Sequence, residues 1–292
     1  MTQAADSTVS LVRRRPELDA SARRPLRVWL VSTYPPRRCG LATFTSDVAL
    51  SLCGTGDEVV IAALVEAAGP AVPGATFQLV QTSEQSARAV AASLSVDVDI
   101  VLIQHEFGIF GGRGSAVLQA LTDNLTVPYV VRLHTVVEQF RSWQIAALTA
   151  PLAGAAMVFV FSEAAVALIA TQFAGVEPRC CVVPHAAPAA MYRREDAGPR
   201  GLGLPDHTMV ISTFGLLSPS KGIEHVIRAM PAVRRRVGDV VYLIAGRTHP
   251  EVVRRKGERY RSALERSRAH SGWTTSYDFA IGSMTSTNCP RC

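Results

Sequence analysis

The stretch LRVWLVSTYPPRRCGLATF (26–44) decides the fold. Its first eight residues are a continuous apolar run, the pattern of a strand buried on both faces. Two prolines and two arginines then break the run. Beyond Cys39-Gly40, Leu41, Phe44, Val48 and Leu52 recur at helical spacing. A buried strand, a tight turn and a helix in that order open a βα unit. Gly40 allows close backbone approach at the turn, and the free amides of the following helix favour an anion. The alternative is a plain tight turn shaped by Pro35-Pro36.

The same rhythm continues along the chain. Strands are predicted at 58–64, 99–104, 128–133, 157–161 and 181–184, with helices near 83–95, 114–124, 138–150 and 163–173. This alternation predicts a parallel sheet covered on both faces. Residues 186–207, rich in Ala, Pro, Gly and charge, form the expected linker. The pattern restarts with strands at 209–215 and 240–246 around a helix at 222–236. The expected division is a disordered tail (1–25), a first Rossmann-like domain (26–185), the linker, a partial second domain (208–268) and an irregular tail (269–292). About 60 residues of the second unit supply two strands and two helices, half of a doubly wound domain.

Composition narrows the function classes. The chain has 292 residues, 48% hydrophobic and 18% charged, an ordinary globular balance. No apolar run reaches the roughly 20 residues of a membrane span, and the N-terminus lacks the apolar core of a secretory signal. The net charge of +6 is local: residues 228–268 hold 12 Arg/Lys against 4 Asp/Glu, whereas 28–227 hold 11 against 16. A basic segment on an acidic body suggests local anion or membrane-surface contact, not a nucleic-acid face. The alternative is a solvated arginine face. Six scattered cysteines make no disulfide framework, and Cys289-Pro-Arg-Cys292 is a lone C-x-x-C. A reducing cytoplasm is expected.

Open parallel sheets bind ligands at the carboxyl ends of their strands. The residues there are Tyr34 to Gly40; His105, Glu106 and the loop to Gly112; His134 and Thr135; Ser162; His185; Gly215 to Gly222; and Gly246 to Pro250. His134 can hydrogen-bond a sugar hydroxyl or polarise a leaving group; the alternative is a structural histidine. His105 and Glu106 are adjacent on an extended chain and point oppositely, which argues against a dyad; the alternative is a packed loop of Phe107, Ile109 and Phe110 with His105 as a core histidine. Lys221-Gly222 open a helix, a good place for a diphosphate, although no Walker spacing is present.

Together, YPPRRCGLATFTSD, QHEFGIFGG, LHT, VVPH and FGLLSPSKGIEHVIRA resemble, in order, the motifs of family 4 retaining glycosyltransferases of the GT-B fold. The resemblance covers about residues 26–265. It implies two Rossmann-like domains, a nucleotide-sugar donor, and an unknown acceptor that is a sugar, a lipid or a small molecule. No cofactor, metal or nucleic acid is implied. Gly40 matches the turn that approaches the donor phosphate and sugar, His134 the histidine that contacts the transferred sugar, and Gly215 and Lys221 the diphosphate loop. The family's usual arginine before that lysine is absent, and Arg247 is the candidate substitute. His105 and Glu106 are candidates for the acceptor or cleft. Nothing in 266–292 resembles the family's nucleobase pocket or E-x7-E carboxylates, so a truncated donor domain is expected. The alternative function is an inactive binding or interaction module. Cytoplasmic location, with contact to the inner membrane face, is the expectation.

Overall fold

A computed structural model describes residues 23–94, 97–111, 116–186 and 199–270. The expected tails at 1–22 and 271–292, linker residues 187–198, Gly112 and the C-x-x-C lie outside the described residues.

The first unit is a seven-stranded parallel sheet. In chain order its strands are β1 (Arg27–Ser32), β2 (Glu58–Val65), β3 (Phe77–Val80), β4 (Ile100–His105), β5 (Tyr129–Leu133), β6 (Met157–Val160) and β7 (Cys180–Val182). They lie side by side as β3-β2-β1-β4-β5-β6-β7. The order reverses between β1 and β4, which opens the crevice where α/β sheets take ligands. The helices are α1 (Gly40–Gly54), α2 (Glu84–Leu94), α3 (Ala116–Thr122), α4 (Ser142–Gly154) and α5 (Glu163–Gln172).

Alternation along the strands sorts side chains onto two faces. Val31, Leu79, Val101, Ile103, Val131, Leu133 and Val160 pack with Val90, Leu118, Leu148 and Ile169, which come from α2 to α5. Val28, Leu30, Ile61, Leu102 and Val130 pack on the other face, where Ala49 of α1 is the buried helical residue. Both faces are therefore apolar in the sequence, as continuous strand runs require.

Three expectations change. The strand at 77–80 falls outside the predicted set because FQLV is four residues after an irregular Gly/Pro/Ala stretch. The fourth helix does not stop before Pro151 but carries it inside, and the Tyr129 hydroxyl donates to its carbonyl at 2.9 Å. Nor is the chain loose as far as residue 25. Arg23 holds the buried Asp57 carboxylate with two nitrogens at 2.5 and 2.6 Å, and the Leu26 amide donates to it at 2.9 Å.

The second unit pairs β8 (Met209–Phe214) with β9 (Val240–Ala245) in parallel. Three helices accompany them, not two: α6 (Ile223–Val237), α7 (Pro250–Lys256) and α8 (Arg259–His270). Leu217, Ile223, Ile227 and Leu264 form its core with Tyr242 and Ile244 on one sheet face. The opposite face leaves Phe214 75% exposed, the apolar exposure expected of a small sheet.

Candidate active site

The crevice begins where β1 hands over to α1. The Thr33 hydroxyl lies 3.3 Å from Cys39 Sγ, and that sulfur caps the helix by accepting from the Ala42 amide at 3.4 Å. The Ser32 and Thr45 hydroxyls, 2.8 Å apart, fasten the second turn of α1 to the strand tip. The amides of Gly40 and Leu41 keep no partner among the described residues. A Cβ on Gly40 would meet nothing within 4 Å, and its φ is not left-handed. Neither packing nor backbone strain therefore demands glycine here. What glycine provides is an unobstructed approach to two free amides at the positive end of a 15-residue helix.

One turn along α1, the Phe44 ring stands at the centre of a polar-aromatic cluster. Its centroid is 4.8 Å from the His134 ring and 4.9 Å from the His185 ring. Phe161, just past β6, stacks on His185 at 5.0 Å and meets His134 edge-on at 5.2 Å. His185 therefore belongs to this cluster.

His134 is held from two sides. Its amide donates to the His105 carbonyl at 2.9 Å, and its Nε2 lies 2.8 Å from Gln104 Oε1. Burial, then the charges of Arg132 and His185, push its pKa down to about 4. At neutral pH the ring is uncharged, with Nε2–H donating to Gln104 and Nδ1 left as a lone pair. It can accept a hydrogen bond from a hydroxyl but has no proton to give as an acid.

His105 ends β4, so alternation turns it to the opposite face, after Val101 and Ile103. It is 3% exposed, packed against Phe107 and Phe110, and its Nδ1 has no partner. Burial, then the charge of His134, brings its pKa to about 4. Glu106 accepts from the Phe107 amide at 2.8 Å and from the Thr135 hydroxyl at 2.6 Å, at the tips of β4 and β5. His105 and Glu106 do not meet as a pair.

Gly215, Lys221 and Arg247 sit in the loops after β8 and β9. Gly215 takes a φ of +107°, and a Cβ on Gly246 would lie 1.8 Å from the Gly215 carbonyl oxygen. The two loops are laced by Leu217 N to Arg247 O at 2.7 Å and His249 N to Leu217 O at 2.9 Å. Lys221 ends a 3-10 turn (Pro219–Lys221) before the left-handed Gly222. The Lys221 ammonium and the Arg247 guanidinium are exposed and have no ion-pair partner among the described residues.

Sequence reasoning missed Gln104 and Arg132. Arg132 lies inside a buried strand, where alternation alone reads it as an outward polar residue. Among the described residues, no three His, Cys, Asp or Glu side chains are grouped to hold a metal ion. No described helix is long and apolar enough to cross a membrane.

No protein-family profile matches the chain, and no curated protein matches it by sequence. Solved structures do match. HepE of Anabaena, solved with UDP and glucose, aligns at a TM-score of 0.59 and 13% identity, over 85% of this chain and 66% of its own. A glycosyltransferase of Rickettsia africae gives 0.59 at 14% identity, with the same coverage. An α-glucosyltransferase in complex with UDP gives 0.51 at 13%, over 80% of this chain and 62% of its own. The fold is the Rossmann-like α/β fold of GT-B glycosyltransferases. Identities this low show the fold alone, and the chain spans about 66% of the length of the first two. A further complex of the α-glucosyltransferase, at a TM-score of 0.53, contains a 13-mer DNA as well as UDP. The expectation that nucleic acid is excluded as a partner is therefore not supported.

Proposed function

We propose that the chain transfers a sugar from a nucleotide-sugar donor to an acceptor, with retention and without a metal ion. The observation that carries this reading is the α1 N-terminus. Two amides without a partner among the described residues, and a glycine facing open space, stand one turn before Phe44, the ring packed against a neutral histidine, at the point where the strand order reverses. That arrangement suits a phosphate next to a hydroxyl-rich group. The structural neighbours solved with UDP support the same class of donor.

On this reading the departing diphosphate needs its growing charge neutralised, and fixed donors do this without reorganising. Gly40 lets the donor phosphate and sugar approach the α1 amides. Lys221, in the loop opened by Gly215, carries positive charge to the diphosphate, and Arg247 adds a second. His134 accepts from a hydroxyl of the transferred sugar through Nδ1 and orients it. Glu106, with Thr135, faces the acceptor, while buried His105 supports the loop from below. The acceptor is a sugar, a lipid or a small molecule; nucleic acid stays among the classes to test. On this reading the first domain is 26–185 and the second 208–268, joined by the linker at 186–207. The basic segment 228–268 suits a cytoplasmic protein that touches the inner membrane face.

The test is transfer of labelled sugar from a panel of nucleotide-sugars, with and without EDTA, and the product anomer read by NMR. Label transfer with retention in EDTA supports the proposal; inversion, or dependence on metal, overturns that part of it. A second reading is a binding module without turnover, which the two-stranded second sheet favours. It predicts nucleotide binding with no transfer to any acceptor.

A further inference from the structure

Among the described residues, Arg132 is a buried cation with no anion beside it. It is 8% exposed, makes no hydrogen bond or ion pair with a described residue, and its Nε is sealed from solvent without a partner. What surrounds it is aromatic. The guanidinium carbon lies 5.4 Å from the centroid of Phe44, 5.4 Å from Phe159 and 5.5 Å from Phe161. Ring faces attract a cation, but they satisfy none of its N–H donors.

A second donor is stranded beside it. Gln104 is Arg132's register partner on β4. Its Oε1 is taken by His134, and its Nε2 is sealed without a partner. Both side chains lie on the α1 face of the sheet, as do Leu102 and Val130 two residues back on each strand. Unsatisfied N–H groups on neighbouring strands, one of them cationic, call for a group that only accepts. Buried charges are otherwise paired or hydrogen-bonded. Phe44 and Phe161, which wall the guanidinium, are also the rings that touch His134 and His185. The stranded donors therefore form the floor of the same crevice.

We propose that Arg132 and Gln104 form an oxyanion subsite beneath His134, taking a carboxylate or a phosphoryl group carried by the sugar substrate. That the carrier is a sugar rests on the proposed donor reading; the oxyanion chemistry does not. A guanidinium fork offers two parallel N–H bonds to either group.

The experiment is calorimetric titration of the full chain with D-glucuronate, D-glucose, inorganic phosphate and UDP, repeated on Arg132→Met and Arg132→Lys. Glucuronate or phosphate is expected to bind at least tenfold more tightly than glucose. Arg132→Met should lose that preference, and Arg132→Lys should weaken it. Preference for glucuronate assigns a sugar carboxylate; preference for phosphate assigns a phosphoryl group. Equal binding of glucose and glucuronate with no binding of phosphate overturns the subsite, as does unchanged preference in Arg132→Met. If Arg132→Met fails to fold by circular dichroism, the wild-type comparison and Arg132→Lys decide. In Arg132→Lys, an undiminished preference counts against the guanidinium. Oxyanion binding without UDP binding removes the donor reading and leaves the subsite. UDP binding that Arg132→Met leaves intact, without an oxyanion preference, does the reverse.

Discussion

His134 Nε2 and Gln104 Oε1 lie 2.8 Å apart, at the tips of neighbouring parallel strands. This contact decides which nitrogen of a neutral imidazole faces the crevice, because Nε2 must hold the proton that Gln104 accepts. Gln104→Leu leaves that proton without its acceptor and frees the ring to turn. Nucleotide-sugar turnover is expected to fall about tenfold, the worth of about one hydrogen bond. Gln104→Glu places a carboxylate there, which favours the imidazolium and raises the His134 pKa well above about 4. NMR titration of the ring proton reads the change directly.

Acid should weaken the fold through two histidines. His105 and His134 both titrate near 4 when folded, against about 6.5 when unfolded. The unfolded chain therefore binds more protons between these values. Stability is complete above about pH 6.5 and declines as pH falls toward 4, by up to about 1.4 kcal/mol per pH unit for each histidine. Urea unfolding at pH 7.5 and 5.0 measures the difference. His105→Phe, which keeps the aromatic packing, should flatten about half of the slope.

Two glycines should answer an added methyl oppositely. Gly40→Ala meets open space and leaves stability unchanged, or raises it by up to about 1 kcal/mol. It should nonetheless weaken nucleotide-sugar binding at least tenfold, because the methyl stands where the phosphate approaches. Gly246→Ala drives its Cβ into the Gly215 carbonyl and should cost about 2–3 kcal/mol. Paired thermal unfolding and titration calorimetry separate the two effects.

The N-terminal strand depends on Asp57. Its carboxylate takes the Arg23 guanidinium and the Leu26 amide, and the Arg23 bonds hold its pKa below the ordinary carboxylate range. Asp57→Asn is expected to destabilise by about 2 kcal/mol. The same interaction is present above the usual carboxylate pKa and is lost only as pH falls below it. Its contribution therefore stays constant through the histidine window, and the Asp57→Asn deficit should be equal at pH 7.5 and 5.0.

Much of this architecture is legible before any coordinates. Short, largely apolar runs such as 26–33 and 128–133, rich in β-branched residues, read as buried strands, and glycine, proline and histidine mark their ends. What escapes is whatever depends on register. FQLV at 77–80 is too short to announce itself without its partner β2. Gln104 reads as the end of a strand, and nothing local says that it will stand beside Arg132. His105 reads either as a cleft residue or as a core histidine, and counting back to Ile103 and Val101 settles it for the core. Face, not position along the chain, separates the two histidines.

The most direct test of the central claim is the unfolding temperature of the full chain with UDP and with UDP-glucose, in wild type, His134→Ala and Lys221→Ala. A ligand at a hundred times its Kd adds about 2.7 kcal/mol, which raises the midpoint of a chain this size by about 4 °C. The donor reading predicts that rise in wild type, a smaller rise with UDP-glucose but not UDP in His134→Ala, and a smaller rise with both in Lys221→Ala. No rise in wild type with UDP, UDP-glucose or any other nucleotide-sugar would contradict it.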